Sequence, residues 1–213
     1  MKKILKGFTL AEVLITLGVV GVLSALTLPT LTTNIQKQQV GPALAKAINT
    51  LQTANNMAIQ EGQVRRLNEL ADTPNAPGAN SYFNEILRPY LKTTIVTQKP
   101  VYTTPNGTAI PEDNNIYQTT DGIYFTVQTS TRDWFNVDVD VNGAKGPNIG
   151  SRDLFRLRIY SNGDVMAFGS AEFAARTNMP NWNAVFTCNR QGVGSWFHCG
   201  GSIVDNNYKV IYY

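Results

Sequence analysis

Phe8–Leu28 reads FTLAEVLITLGVVGVLSALTL, 21 residues with one charge, Glu12, and Pro29 follows directly. At about 1.5 Å per residue a helix of this length is roughly 31 Å long, close to the hydrocarbon thickness of a bilayer. Before it, Met1–Gly7 (MKKILKG) carries Lys2, Lys3 and Lys6, which places residue 1 on the cytoplasmic side. The apolar run is longer than most secretory h-regions, and no later stretch is apolar enough to span again. The expected topology is a single pass with the bulk of the chain outside the cytoplasm.

The remainder has the composition of a folded domain. Of 213 residues 43% are hydrophobic and 15% charged, enough for one domain with an appendage and too apolar for a disordered chain. The net charge of +3 comes from the three leader lysines, and without them acidic and basic residues balance. The basic stripe that nucleic-acid binding requires is therefore missing, and no nucleic-acid partner is expected. One histidine and two cysteines leave little for a His-based catalytic site or a Cys/His zinc site. P-loop, dinucleotide, G-x-S-x-G and H-E-x-x-H patterns do not occur. The expectation is not an enzyme, and no cofactor apart from the calcium considered below.

Glu12 stands out, because a carboxylate in a bilayer costs about 2.5–3.5 kcal/mol on insertion scales. One reading has it reach the headgroups from the cytoplasmic end; the other gives it a function. Its neighbours favour the second. Lys6-Gly7-Phe8-Thr9-Leu10-Ala11-Glu12 resembles the prepilin peptidase site of type IV pilin-like proteins. The resemblance covers only the N-terminal part of the chain. It implies cleavage after Gly7, N-methylation of the new terminal Phe8, and an assembly role for Glu12, fifth from the cut. Pro29 falls where that family commonly kinks its helix. The implied partners are the prepilin peptidase/methyltransferase, other pilin or pseudopilin subunits and the inner-membrane assembly machinery. The implied location is the bacterial inner membrane, with assembly into a pilus or pseudopilus. In a bundle of such helices Glu12 pairs with the Phe8 ammonium of a neighbour, neutralising two charges that are each costly in a low-dielectric core. Gly18, Gly21 and Ala25 read equally as close-approach surfaces and as ordinary membrane-helix composition.

Past Pro29, Leu44, Ile48, Leu51, Ala58 and Ile59 trace an apolar stripe at helical spacing. Gly62 is placed as a C-cap, and Gly41-Pro42 as a kink or restart. The expectation is one long bent helix from about Phe8 to Gln60. The chain divides into a leader (1–7), a membrane or filament-core helix (8–28), its amphipathic continuation (29–62) and a globular domain (63–213). In that domain Asp72–Asn80 reads as a loop, Tyr82–Leu91 as a short helix and Lys99–Asn115 as irregular surface. The period then changes to two. Strands are expected at Ile116–Thr119, Ile123–Thr129, Trp134–Val141, Phe155–Ser161 and Val165–Phe168, with hairpin turns at Asp121-Gly122 and Asn162-Gly163. Phe155, Leu157 and Ile159 should face the helix. Arg156 and Arg158 should lie on a solvated face or, alternatively, at a subunit contact. The fold class is α+β, a long helix laid across an antiparallel meander, as the pilin resemblance also implies.

Asp138-Val-Asp-Val-Asn-Gly143 opens with the oxygen spacing of a calcium loop, but Ile149 stands where an EF-hand needs glutamate. Two readings stay open. Strand alternation puts Asp138 and Asp140 on the exposed face with Val137, Val139 and Val141 inside. Alternatively, Asp138, Asp140, Asn142 and a folded-back Asp153 hold calcium, as some secretion pseudopilins do in a loop of their sheet. Cys188 and Cys199 are read as a disulfide, since export takes them to an oxidising compartment and many type IV pilins close a C-terminal loop this way. Closing about 12 residues is worth roughly 2.8 kcal/mol in the chain-entropy model. A metal reading with His198 lacks a fourth ligand, and a nucleophile reading lacks an orienting partner.

These readings make the chain a structural subunit of a type IV pilus or type II secretion pseudopilus. The alternative is an anchored or secreted binding module that uses the N-terminal segment only for export. Its contacts would be Trp182, Trp196, Tyr212 and Tyr213.

Overall fold

Helix α1 spans Leu10–Gln60 in a computed structural model that describes residues 7–63, 81–112, 114–130, 134–160, 162–177 and 196–212. Its first turn is closed by a capping box. The Thr9 hydroxyl accepts from the Glu12 N–H at 3.3 Å, and Glu12 Oε2 accepts from the Thr9 N–H and hydroxyl, each at 2.8 Å. The last turn ends on Gly62 at φ +73°. There the Gln63 N–H donates to the Ala58 carbonyl at 3.0 Å and the Gly62 N–H to Ile59 at 2.9 Å, the Schellman arrangement expected of a glycine cap. No restart occurs at Gly41-Pro42, because the helix is continuous there. Gly41 serves packing instead: a Cβ on it would lie 1.8 Å from the Tyr208 carbonyl oxygen.

The chain falls into two units, Met1–Gln38 and Gln39–Tyr213. In the first, the described apolar side chains from Phe8 to Ile35 are largely exposed, and the helix is long and apolar enough there to cross a membrane. In the second, α1 buries Val40, Leu44, Ala47, Leu51, Ala54 and Ala58, alternating steps of four and three that keep one face inward. Ile48 and Ile59, expected on the same stripe, are half-buried.

A π-helical turn at Phe83–Leu87 and helix α2 (Arg88–Leu91) come next, over the stretch read as a short helix. The strands are β1 (Thr93–Ile95), β2 (Tyr102–Thr103), β3 (Ala109–Ile110), β4 (Ile116–Thr119), β5 (Tyr124–Ser130), β6 (Trp134–Asp140), β7 (Leu154–Tyr160) and β8 (Val165–Ala167). Six of them form one antiparallel sheet in the order β1-β4-β5-β6-β7-β8, and β2 and β3 make a separate hairpin. The expected strands are therefore present within a residue or so of their ends. β1, β2 and β3 add order that was not expected. Gly122 and Gly163 turn their hairpins at φ +85° and +107°, values that favour glycine. Helix α3 (Ala171–Thr177), a 3-10 turn (Trp196–His198) and helix α4 (Cys199–Asp205) complete the described chain. The class is α+β.

One sheet face packs Phe125, Val127, Phe135, Val137, Val139, Phe155, Leu157 and Ile159 against α1 and the turn at Phe83–Leu87. Two polar helix residues set the register of this contact. Gln52 accepts from the Val165 N–H at 3.0 Å and donates to the Gly163 carbonyl. Fully buried Asn55 donates to the Tyr160 carbonyl at 3.2 Å and accepts from the Tyr82 hydroxyl at 2.9 Å. The opposite face is covered too, by clusters around Tyr102, Tyr124, Leu154 and Trp196 and around Tyr160, Met166, Phe168 and Phe173. This corrects the alternation reading. Asp138 and Asp140 are buried and Arg156 and Arg158 are half-buried, because β2, β3 and the Trp196–His198 turn carry residues that pack over a face expected to meet water.

Candidate functional site

Gly7 and Phe8 precede the helix, and Phe8 is 90% exposed. Glu12 is exposed in the first turn, held by Thr9 alone among the contacts described above. A Cβ on Gly18 or Gly21 would meet nothing within 4 Å, so neither glycine is required by packing inside this chain.

A second constellation forms in the loop between β6 and β7. Asp140 Oδ1 accepts from the N–H groups of Asn142 at 3.1 Å and Gly143 at 2.9 Å. Its Oδ2 accepts from the Tyr102 hydroxyl at 3.2 Å. Gly143 is the residue such a turn requires: its φ is +60°, and a Cβ would lie 2.0 Å from the Gly122 carbonyl oxygen. Asp153 Oδ1 accepts from the Ile149 N–H at 2.7 Å. Its Oδ2 accepts from the Asn148 N–H at 2.8 Å and from Asn142 Nδ2 at 3.2 Å. Within this network Asn142 Oδ1 and Asn148 Oδ1 are buried acceptors with no hydrogen-bond partner, a costly arrangement that calls for an explanation. Burial pushes the Asp140 carboxyl up to about 8, with the neighbouring Asp153 charge adding to it. Burial also raises Asp153 and lifts the Tyr102 phenol well above its usual range.

Of the residues expected to hold a cation, the fold gathers Asp140, Asn142 and Asp153 and diverts Asp138. That carboxylate lies directly across from Arg156 in the β6–β7 register and receives its guanidinium as a fork, Nε to Oδ1 at 2.6 Å and Nη2 to Oδ2 at 2.7 Å. Asn148 joins the group in its place, and nothing in its sequence context singled it out. Among the described residues, no three His, Cys, Asp or Glu side chains come together as a metal site. The donor set is two carboxylates with amide oxygens, chemistry suited to a hard cation.

Nearby, Glu112 accepts from the Asn114 N–H at 3.1 Å and from Gln128 Nε2 at 3.0 Å. Burial lifts its carboxyl to about 7, with the Asp138 charge adding. Arg158 donates to Asn136 Oδ1 at 3.1 Å, and its guanidinium carbon lies 3.5 Å from the centre of the Trp134 ring. Cys199 begins α4, is buried and is disulfide-bonded. Its expected partner, Cys188, lies outside the described residues, as do Trp182 and Tyr213. Trp196 is buried and Tyr212 is half-buried against the core, so the set of exposed aromatic contacts expected of a binding module is not present at these two positions. No protein-family model, curated protein or solved structure matches the chain.

Proposed function

We propose that this chain is a structural subunit of a type IV pilus or of the related type II secretion pseudopilus, and not an enzyme. It is made as a precursor in the bacterial inner membrane with its globular domain outside the cytoplasm. Prepilin peptidase cuts it after Gly7 and methylates Phe8, and it assembles through α1. The observation that carries this reading is the junction Gly7-Phe8-Thr9-Leu10-Ala11-Glu12 at the head of a helix whose apolar side chains are exposed in its own unit. An apolar surface of that extent needs lipid or other subunits to cover it. Thr9 gives Glu12 hydrogen bonds within its own helix but no opposite charge. The ammonium that cleavage creates on Phe8 of a neighbouring subunit supplies one. Intact mass and N-terminal sequence of the protein from its own host test the reading. A chain beginning at Phe8 and one methylene heavier is expected. A start at Met1, or after Ala25, where Ser24-Ala25 near the end of the apolar run offers a small-residue signal-cleavage site, overturns it and favours the exported module.

The unpartnered oxygens of Asn142 and Asn148 favour a second reading, in which the loop after β6 binds calcium. Asp140 and Asp153 would supply the charge, and Asn142 and Asn148 neutral oxygens; calcium accepts such mixed, flexible oxygen sets. Calorimetric titration with calcium chloride should show binding that is lost in Asp153→Ala, and an absence of binding heat in the parent protein would end this reading.

A further inference from the structure

We infer that β2 is part of the cation site: Tyr102 and Thr103 hold Asp140 and Asn148 in place, so that seating of the β2–β3 hairpin and cation binding are coupled. The inference rests on the calcium reading of the loop between β6 and β7.

The hairpin lies outside the large sheet, and β2 meets the cation loop through both of its residues. At Thr103 backbone meets backbone. Its N–H donates to the Asn148 carbonyl at 3.0 Å, and its carbonyl accepts from the Gly150 N–H at 2.8 Å, a parallel bridge centred on Ile149. The loop segment that carries Asn148 is thus paired to β2 as a further strand would be. At Tyr102 the side chain makes the contact: its hydroxyl donates to Asp140 Oδ2 at 3.2 Å, across 38 residues of chain.

Hydrogen-bond accounting gives the Tyr102 hydroxyl a specific task. A carboxylate oxygen has about two acceptor positions. On Asp140 Oδ1 both are filled, by the N–H groups of Asn142 and Gly143. Oδ2 is the oxygen left to face a cation, and Tyr102 occupies one of its positions. Held from Oδ1 on one side and from Oδ2 on the other, the carboxyl group is fixed in orientation with one acceptor position open. Donors that orient a ligating carboxylate in this way raise metal affinity. Tyr102 can do so only while β2 is seated. Its buried ring provides the seat, packed with Ile116, Tyr124, Leu154 and Trp196 and flanked by Ile110 of β3. Coupling of this kind is reciprocal. A seated hairpin favours the cation, and a cation that draws Asp140 and Asn148 together holds both residues of β2.

The test titrates the full-length protein in detergent micelles with calcium chloride, beside Tyr102→Phe, which keeps the ring in its cluster and removes only the hydroxyl. The calcium Kd should rise about tenfold or more in the variant. In the parent protein, amide exchange at Thr103 is compared with that at Tyr160, whose N–H donates to the Asp164 carbonyl at the turn between β7 and β8. Saturating calcium should slow Thr103 by more than Tyr160, whereas general stabilisation by a bound ligand slows both alike. The exchange measurement needs no variant, so it reads the coupling even if Tyr102→Phe does not fold. An unchanged Kd in folded Tyr102→Phe, or equal slowing of the two amides, overturns this inference and leaves the cation site standing. Failure of the parent protein to bind calcium removes the cation site, and the inference with it.

Discussion

The face of the large sheet turned toward α1 is covered by Val, Leu, Ile and Phe side chains, whereas its other face carries Asp138, Asp140, Arg156 and Arg158 and is covered as well. On the first face any apolar group of about the right size does the work, since hydrophobic burial is non-directional. On the second, each buried charge or hydrogen-bonding group needs a partner at a particular place. Arg156 forks onto Asp138, Asp140 caps its own turn, and Arg158 lies over Trp134. The two faces should therefore fail differently when they are broken.

The largest effect is expected on the polar face. Arg156→Ala leaves the Asp138 carboxylate buried without its counter-charge and should cost about 3–5 kcal/mol in denaturant unfolding. On the apolar face Leu157→Ala should cost about 2–5 kcal/mol, and this loss should be the same at pH 5 and pH 8. A smaller, pH-dependent effect separates the faces further. Folded Glu112 keeps its proton up to about 7, chiefly because it is buried, while its ordinary value is 4.5. Between those values the folded state binds more protons than the unfolded state, so stability falls as pH rises through the window. The Tm of the parent protein should drop from pH 5 to pH 8 by more than that of Glu112→Gln; equal drops would show that Glu112 is not the source. The smallest change is expected when both members of the buried pair are replaced by apolar residues. Asp138→Val with Arg156→Leu should unfold close to the parent value, because the desolvation of two ions is removed along with their attraction. A double variant as unstable as Arg156→Ala would mean that the polar face, too, depends on close packing.

The same contrast explains what was legible in the sequence. The α1 stripe, the Gly62 cap, the two glycine hairpins and the strands from β4 onward are local patterns, and they stand where they were expected. The polar face was misread because alternation assigns charges to water whenever the covering residues are remote. Here they come from β2 and β3, each two residues long, and from Trp196, far along the chain. Neither leaves a periodic signal. The diversion of Asp138 follows from strand pairing, since its cross-strand neighbour is Arg156, a register that alternation in one strand does not reveal. Asn148 was illegible because its place depends on how the loop folds back onto Asp153. The N-terminal junction was read from residue identity alone, and its test is the N-terminal sequence of the protein from its host.

The seat of Tyr208 on Gly41 fixes an order in time. The part of α1 that enters the core is made before every described residue that covers it, from Tyr82 to the tail at Tyr212. At about 5–20 residues per second, the helix waits on the order of ten seconds or more for its last partners. Through that interval the stripe gains its cover piece by piece, and the seat on Gly41 is filled only once Tyr208 has emerged. A chain stopped just after α4 would possess every helix and strand described here and still leave Gly41 bare.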